Sequence, residues 1–107
     1  MKPLRLDEEA AGEIVEAIRW YEQQRRGLGS GLRSEARAML DTVRARPLTF
    51  ARLSLPETDL EFRRALLRRF PYAFVFMDLP EEIRVVAFVH QRRRPGYWLN
   101  RVETSSD

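Results

Sequence analysis

Residues 62–90, FRRALLRRFPYAFVFMDLPEEIRVVAFVH, carry the pattern that decides the fold. Three runs of strand-like composition, 62–70, 72–79 and 83–90, follow one another closely, with 78–82 as the turn between the last two. Connections this short suit antiparallel neighbours, because parallel strands need a long crossover. The longest uninterrupted apolar runs, 73–77 and 85–89, fall far short of the roughly 20 residues that a bilayer requires, so they read as strands. In the first run, arginine pairs alternate with aliphatic residues. A regular strand places Arg64 and Arg68 on one side and Arg63 and Arg69 on the other, so either parity displays a basic row.

Upstream the period changes. Residues 3–6 form a short mixed segment ending at Asp7, which stands where a helix cap is expected, with Glu8 and Glu9 at the favourable end of the dipole. Ala11, Ile14, Val15, Ile18 and Tyr21 recur at three-and-four spacing and make one buried stripe, while Glu13, Glu16, Arg19 and Glu22 point elsewhere. The glycines of 27–31 end this helix, and a second follows with Leu32, Ala36, Met39, Leu40 and Val43 on one face. The short link makes the pair an antiparallel helical hairpin. Pro47 stops the second helix, and 48–61 reads as a loop with room for a brief extended piece. The expected fold is α+β in the order β-α-α-β-β-β: a small antiparallel sheet packed on one face against an N-terminal helical hairpin, its other face open for function. One domain is expected over 1–103, with a frayed end at 104–107.

The charge is uneven. Eighteen of the nineteen basic residues are arginine, and between positions 62 and 101 nine arginines stand against three acids. Guanidinium forks match phosphate and carboxylate oxygens equally, so the expected partner is a nucleic acid, an acidic protein segment, or both. There is no cysteine and only one histidine, which excludes a disulfide framework and a thiolate or histidine metal cluster. Lys2 and Arg5 are followed by Asp7, Glu8 and Glu9 and not by an apolar leader, so a cytoplasmic protein without cofactor or metal is expected.

Two strings then identify a likeness: RALLRRFPY at 64–72 and HQRRRPGYW at 90–98. With the triplet Trp20-Tyr21-Glu22, the break Gly27-Leu28-Gly29 and Pro47 after the second helix, they resemble toxins of the RelE/ParE superfamily over nearly the whole chain. The resemblance implies the toxin of a type II toxin–antitoxin, or plasmid-stabilisation, pair, held silent in a hetero-oligomer by a cognate protein antitoxin. It also implies one of two targets. RelE-like members cleave messenger RNA, usually on the ribosome, whereas ParE-like members inhibit DNA gyrase without nuclease chemistry.

Metal-independent RNA cleavage needs a base for the 2′-hydroxyl, a cation for the phosphorane and an acid for the leaving oxygen. His90, Arg92 or Arg94, and Tyr97 are the candidates, with Glu57 or Glu61 as further possible bases. Each has a plainer reading: His90 as a hydrogen-bonded strand end, the arginines as partner contacts, and Tyr97 with Trp98 as the anchor of the tail. Arg64, Arg68, Arg69, Arg92, Arg93, Arg94, Trp98 and Trp20 are the candidate contacts to target or antitoxin, and Tyr21 is assigned to packing. Apart from Lys2 the chain has no lysine, so the lysine-rich active site of some RelE-like enzymes cannot be built here. That favours a ParE-like, non-enzymatic toxin over the alternatives, an endoribonuclease or a non-toxic basic nucleic-acid-binding domain.

Overall fold

The two long apolar runs pair with each other at the heart of a five-stranded sheet. The computed structural model describes residues 1–105. Strand β1 (Leu4–Leu6) leads into helices α1 (Glu8–Gln24) and α2 (Leu28–Ala45) and a 3-10 turn (Pro47–Thr49). Strands β2 (Ala51–Leu53), β3 (Phe62–Leu66), β4 (Tyr72–Asp78) and β5 (Ile83–His90) follow, and helix α3 (Leu99–Ser105) closes the described chain. The sheet order is β1-β5-β4-β3-β2. Strands β2 to β5 are antiparallel, but β1 runs parallel to β5, so the sheet is mixed and not purely antiparallel. The helical hairpin supplies the long crossover that a parallel pair requires. The loop expected at 48–61 does hold an extended piece, the three residues of β2.

Strands β4 and β5 are apolar on both faces because both faces are covered. On one side Phe74, Phe76, Val85 and Phe88 pack against Ala10, Ala17, Leu32, Ala36 and Val43 of the hairpin. On the other, Phe62, Val75, Met77 and Val86 pack against Trp98, Leu99 and Val102. The face expected to be open is therefore covered over β4 and β5 by the C-terminal segment, and remains exposed beside it at Arg64 and Leu66 of β3. Continuous runs without polar alternation are the signature of strands buried on both sides. Of the four residues expected to fray, Thr104 and Ser105 continue the backbone of α3, and 106 and 107 lie outside the described residues.

Three local expectations change. The buried stripe of α1 centres on Ala10, Ile14, Ala17, Ile18 and Tyr21, which leaves Val15 exposed and turns Glu13 inward. Asp7 occupies the N-cap position but its carboxylate makes no cap hydrogen bond. It is buried and accepts from Arg84 Nη2 at 2.9 Å and Arg5 Nη1 at 3.2 Å, tying the start of α1 to β5. Strand β3 stops at Leu66, four residues early. The Arg68 and Arg69 amides turn to the Glu35 carboxylate on α2, so Arg68 does not continue the row of Arg64, nor Arg69 that of Arg63.

The helices of the hairpin pass close together. Gly29 meets α1 where a Cβ would lie 2.7 Å from the Ile18 carbonyl oxygen, and Gly27 makes the turn at φ +92°. Glu22 accepts the Gly27 and Gly29 amides at 3.0 Å, satisfying donors at the start of α2. Trp98, 1% exposed and edge-on to Phe62 at 4.6 Å, holds the outer layer. Trp98→Ala should destabilise the protein by about 3–5 kcal/mol through lost burial and a residual cavity; urea unfolding at constant m would measure it.

Candidate functional site

The end of β5 turns sharply. The Arg92 amide donates to His90 Nδ1 at 3.0 Å and the Arg93 amide to the His90 carbonyl at 3.0 Å, so the strand's last residue organises the turn that follows. Gly96, at φ +85°, allows the reversal that drives Trp98 beneath the sheet, and the Leu99 amide returns to the Gly96 carbonyl at 2.9 Å. With its Nδ1 lone pair taken, a neutral His90 keeps its proton on Nε2 and presents a donor there.

Glu13 is the hub of this corner. One carboxylate oxygen accepts from the Phe88 amide and from Arg101 Nη1, both at 3.0 Å. The other accepts the Tyr97 hydroxyl at 2.6 Å and Arg101 Nη2 at 3.0 Å. Burial pushes the Glu13 carboxyl up, but the bonds from Arg101, Tyr97 and Phe88 outweigh it and hold the group below its ordinary value. Burial, and then the bond to Glu13, push the Tyr97 phenol well above its ordinary value. The Tyr97 proton is thus committed to a carboxylate, and releasing it would leave two anions in contact. The Arg93 guanidinium lies over the Tyr97 ring at 3.9 Å and that of Arg101 at 5.4 Å.

Two clefts share this corner, with His90, Arg93 and Tyr97 as the ridge between them. The helix-side cleft, about 640 Å³, lies between α1 and the ends of β4 and β5. Its walls include all three tyrosines of the chain, the only histidine and Trp20, which is 54% exposed. Glu16, Arg19 and Gln23 add polar groups from α1. The outer cleft, about 200 Å³, has a floor of Leu53, Leu66, Val75, Val89 and Trp98 with Arg64 and Arg94 beside it, and among the described residues no acidic side chain lines it. Among the described residues, the guanidinium groups of Arg64, Arg68, Arg92 and Arg94 make no hydrogen bond or ion pair.

The structure thus gathers His90, Arg93, Tyr97, Arg64 and Arg94 and leaves others apart. Arg92 is exposed on the turn beside them. Arg68 and Arg69 sit at the β3–β4 turn, where Arg69 Nε pairs with Glu35 at 3.2 Å. Trp98 is withdrawn from the candidate contacts: its ring is buried in the outer core, and only the Trp20 indole remains available to a partner. Of the two acids considered as a base, Glu61 is held by Arg52 at 2.9 Å and Arg63 at 3.0 Å, while Glu57 stands near Gly96. Sequence reading passed over Glu13 and Arg101. The only signal was the placement of Glu13 about two turns before the aromatic pair on α1, and nothing local shows which strand that face meets.

Among the described residues no three His, Asp or Glu side chains gather as metal ligands, and no helix is long and apolar enough to cross a membrane. No family model matches the chain, and no curated protein is similar to it. Fold and corner together define a small α+β protein with a basic, aromatic surface at the C-terminal end of β5.

The Glu13 cluster sets a pH dependence. A carboxyl lowered in the fold contributes stability that is present above the unfolded carboxylate range and is lost as pH falls through the folded value. The raised Tyr97 phenol works at the other end: its contribution is intact below the unfolded tyrosine value and is lost as pH rises beyond it. Tyr97→Phe should move the Glu13 titration upward and cost about 1.5–3 kcal/mol near neutrality, the scale of a hydrogen bond to a charged group. Carboxyl NMR titration and denaturant unfolding would check both.

Proposed function

We propose that the chain is a ParE-like toxin of the RelE/ParE superfamily, the toxin half of a type II toxin–antitoxin module. In this reading it stops growth by binding DNA gyrase and is neutralised by a cognate protein antitoxin in a hetero-oligomer. Its family assignment rests on the resemblance carried by 64–72 and 90–98. The observation that carries neutralisation by a protein partner is the outer cleft, where, among the described residues, Arg64 and Arg94 have no partners and flank an apolar floor lined by no acid. An acidic, amphipathic polypeptide segment suits such a surface, with apolar side chains on the floor and carboxylates in the guanidinium forks.

Binding is favoured over hydrolysis by the same geometry. A general base needs a free lone pair and a general acid a proton it can release. His90 has its Nδ1 lone pair engaged by the Arg92 amide, and the Tyr97 proton is held by Glu13. One observation supports the alternative, a metal-independent endoribonuclease using His90, Arg92 and Tyr97: the aromatic helix-side cleft, whose rings would stack on unpaired bases.

Induction of the chain alone should arrest growth, and a short open reading frame of antitoxin size is expected directly beside its gene, whose co-expression should relieve the arrest. Purified protein should inhibit gyrase supercoiling and leave messenger RNA intact in a translating extract. Replacing Arg64 and Arg94 by alanine should weaken binding of that neighbour's product by about tenfold or more and flatten its salt dependence, as loss of charge-assisted bonds requires. Normal growth on induction refutes the toxin reading, and message cleavage abolished by His90→Ala reassigns the protein to the endoribonucleases.

A further inference from the structure

Strand β1 is too short for its neighbour. It pairs with Ile83, Arg84 and Val85, and the Asp7 amide donates to the Val85 carbonyl at 3.0 Å as the last backbone bond along that edge. Beyond it, the edge of β5 away from β4 continues to His90 with no strand paired to it among the described residues. Exposed strand edges present unpaired amides and carbonyls, and those in a half-buried setting need partners. Two side chains supply them. Arg101 Nη1 donates to the Val86 carbonyl at 3.0 Å, and Glu13 accepts the Phe88 amide at 3.0 Å. The Glu13–Arg101 pair therefore takes the place of a missing strand.

The same carboxylate reaches the arginine segment. Its second oxygen accepts the Tyr97 hydroxyl, and the Tyr97 ring carries the Arg93 guanidinium on its face. At its N-terminal side the segment 91–97 is held by backbone bonds: the Gln91 amide to the Pro71 carbonyl at 2.8 Å, and the Arg92 and Arg93 amides to His90. At its C-terminal side the side-chain tie is Tyr97 to Glu13. We infer that Glu13 is a positioning residue. By joining α1 to the open edge of β5 and to Tyr97, it fixes the conformation in which segment 91–97 presents Arg92, Arg93 and Arg94. Its importance for activity rests on the toxin reading above, but its effect on the segment does not.

A purely structural role and a positioning role differ in where loosening occurs. Amide hydrogen exchange on the full chain would compare the wild type, Glu13→Gln and Tyr97→Phe. In Glu13→Gln, exchange at the Phe88 amide and across 91–97 should rise by about tenfold or more, the scale of one lost charge-assisted bond. In Tyr97→Phe, which keeps the bonds of Glu13 to Phe88 and Arg101, exchange over 91–97 should rise more than at α2 and β3, whose core amides report only the loss of global stability. Unchanged exchange over 91–97 in Tyr97→Phe overturns the inference. So does a uniform rise that includes α2 and β3 in the same proportion, which would make the cluster a general stabiliser.

The functional half is read separately. In cells where the wild type arrests growth, Tyr97→Phe should need several-fold more inducer for the same arrest at equal protein level. Full-strength arrest with a loosened segment would sever positioning from activity and overturn that half. Failure of the wild type to arrest growth would instead refute the toxin reading, while the exchange measurements still decide what Glu13 does.

Discussion

A pair of central strands that is apolar on both faces must be covered twice, and the rest of this molecule is arranged to do so. Strands β4 and β5 bury Phe74, Phe76 and Phe88 on one side and Val75, Met77 and Val86 on the other. Each large side chain removed from water contributes on the order of 2 kcal/mol, so neither face can be left wet. The helical hairpin closes the first. The second is closed mainly by the chain that follows β5, whose Trp98, Leu99 and Val102 fill it beside Leu53 and Leu55.

That second closure shapes the basic corner. To pass from the end of β5 to the outer face the chain must reverse within 91–98, which it does through the His90-centred turn and the positive φ of Gly96. The arginines of the turn cannot follow Trp98 inward, because an unpaired guanidinium in a dry interior carries a desolvation penalty of several kcal/mol. They are left on a ridge between two clefts, one aromatic and one apolar with cations beside it. The concentration of positive charge is thus a by-product of where the chain must turn. The Glu13 carboxylate then offsets part of it, pairing with Arg101 and holding Tyr97 beneath Arg93.

Ion pairs outside this corner have a different task. Asp7 and Arg84 are both largely buried and join the first turn of α1 to β5, which fixes the helix relative to the strand beside it. Glu35 holds the β3–β4 turn against α2 through the Arg68 and Arg69 amides. Several arginines that look alike in the sequence are therefore spent on structure, and what sets Arg64 and Arg94 apart is the apolar cleft that they flank. Arg64 and Arg94 are separated by thirty positions, yet line one cleft.

Much of the fold was legible in the sequence because it rests on local periodicity. The two helices, the last three strands and the packing of the hairpin on the sheet follow from apolar spacing and from the glycine and proline breaks, which act over a few residues. The special character of 90–98 was legible too, as a dense run of arginine, aromatic and turn residues. What the tertiary structure alone decided was the fate of each member. The second layer could be inferred only from β strands lacking alternation, and which segment would supply it depends on where the chain emerges. Trp98 and Tyr97 are neighbours, but one is buried and the other bonded to a carboxylate 84 positions away. Glu13 looked like a solvated helix residue because the pattern on α1 shows which side is apolar. It cannot show that β1 stops short and leaves the edge of β5 requiring a partner.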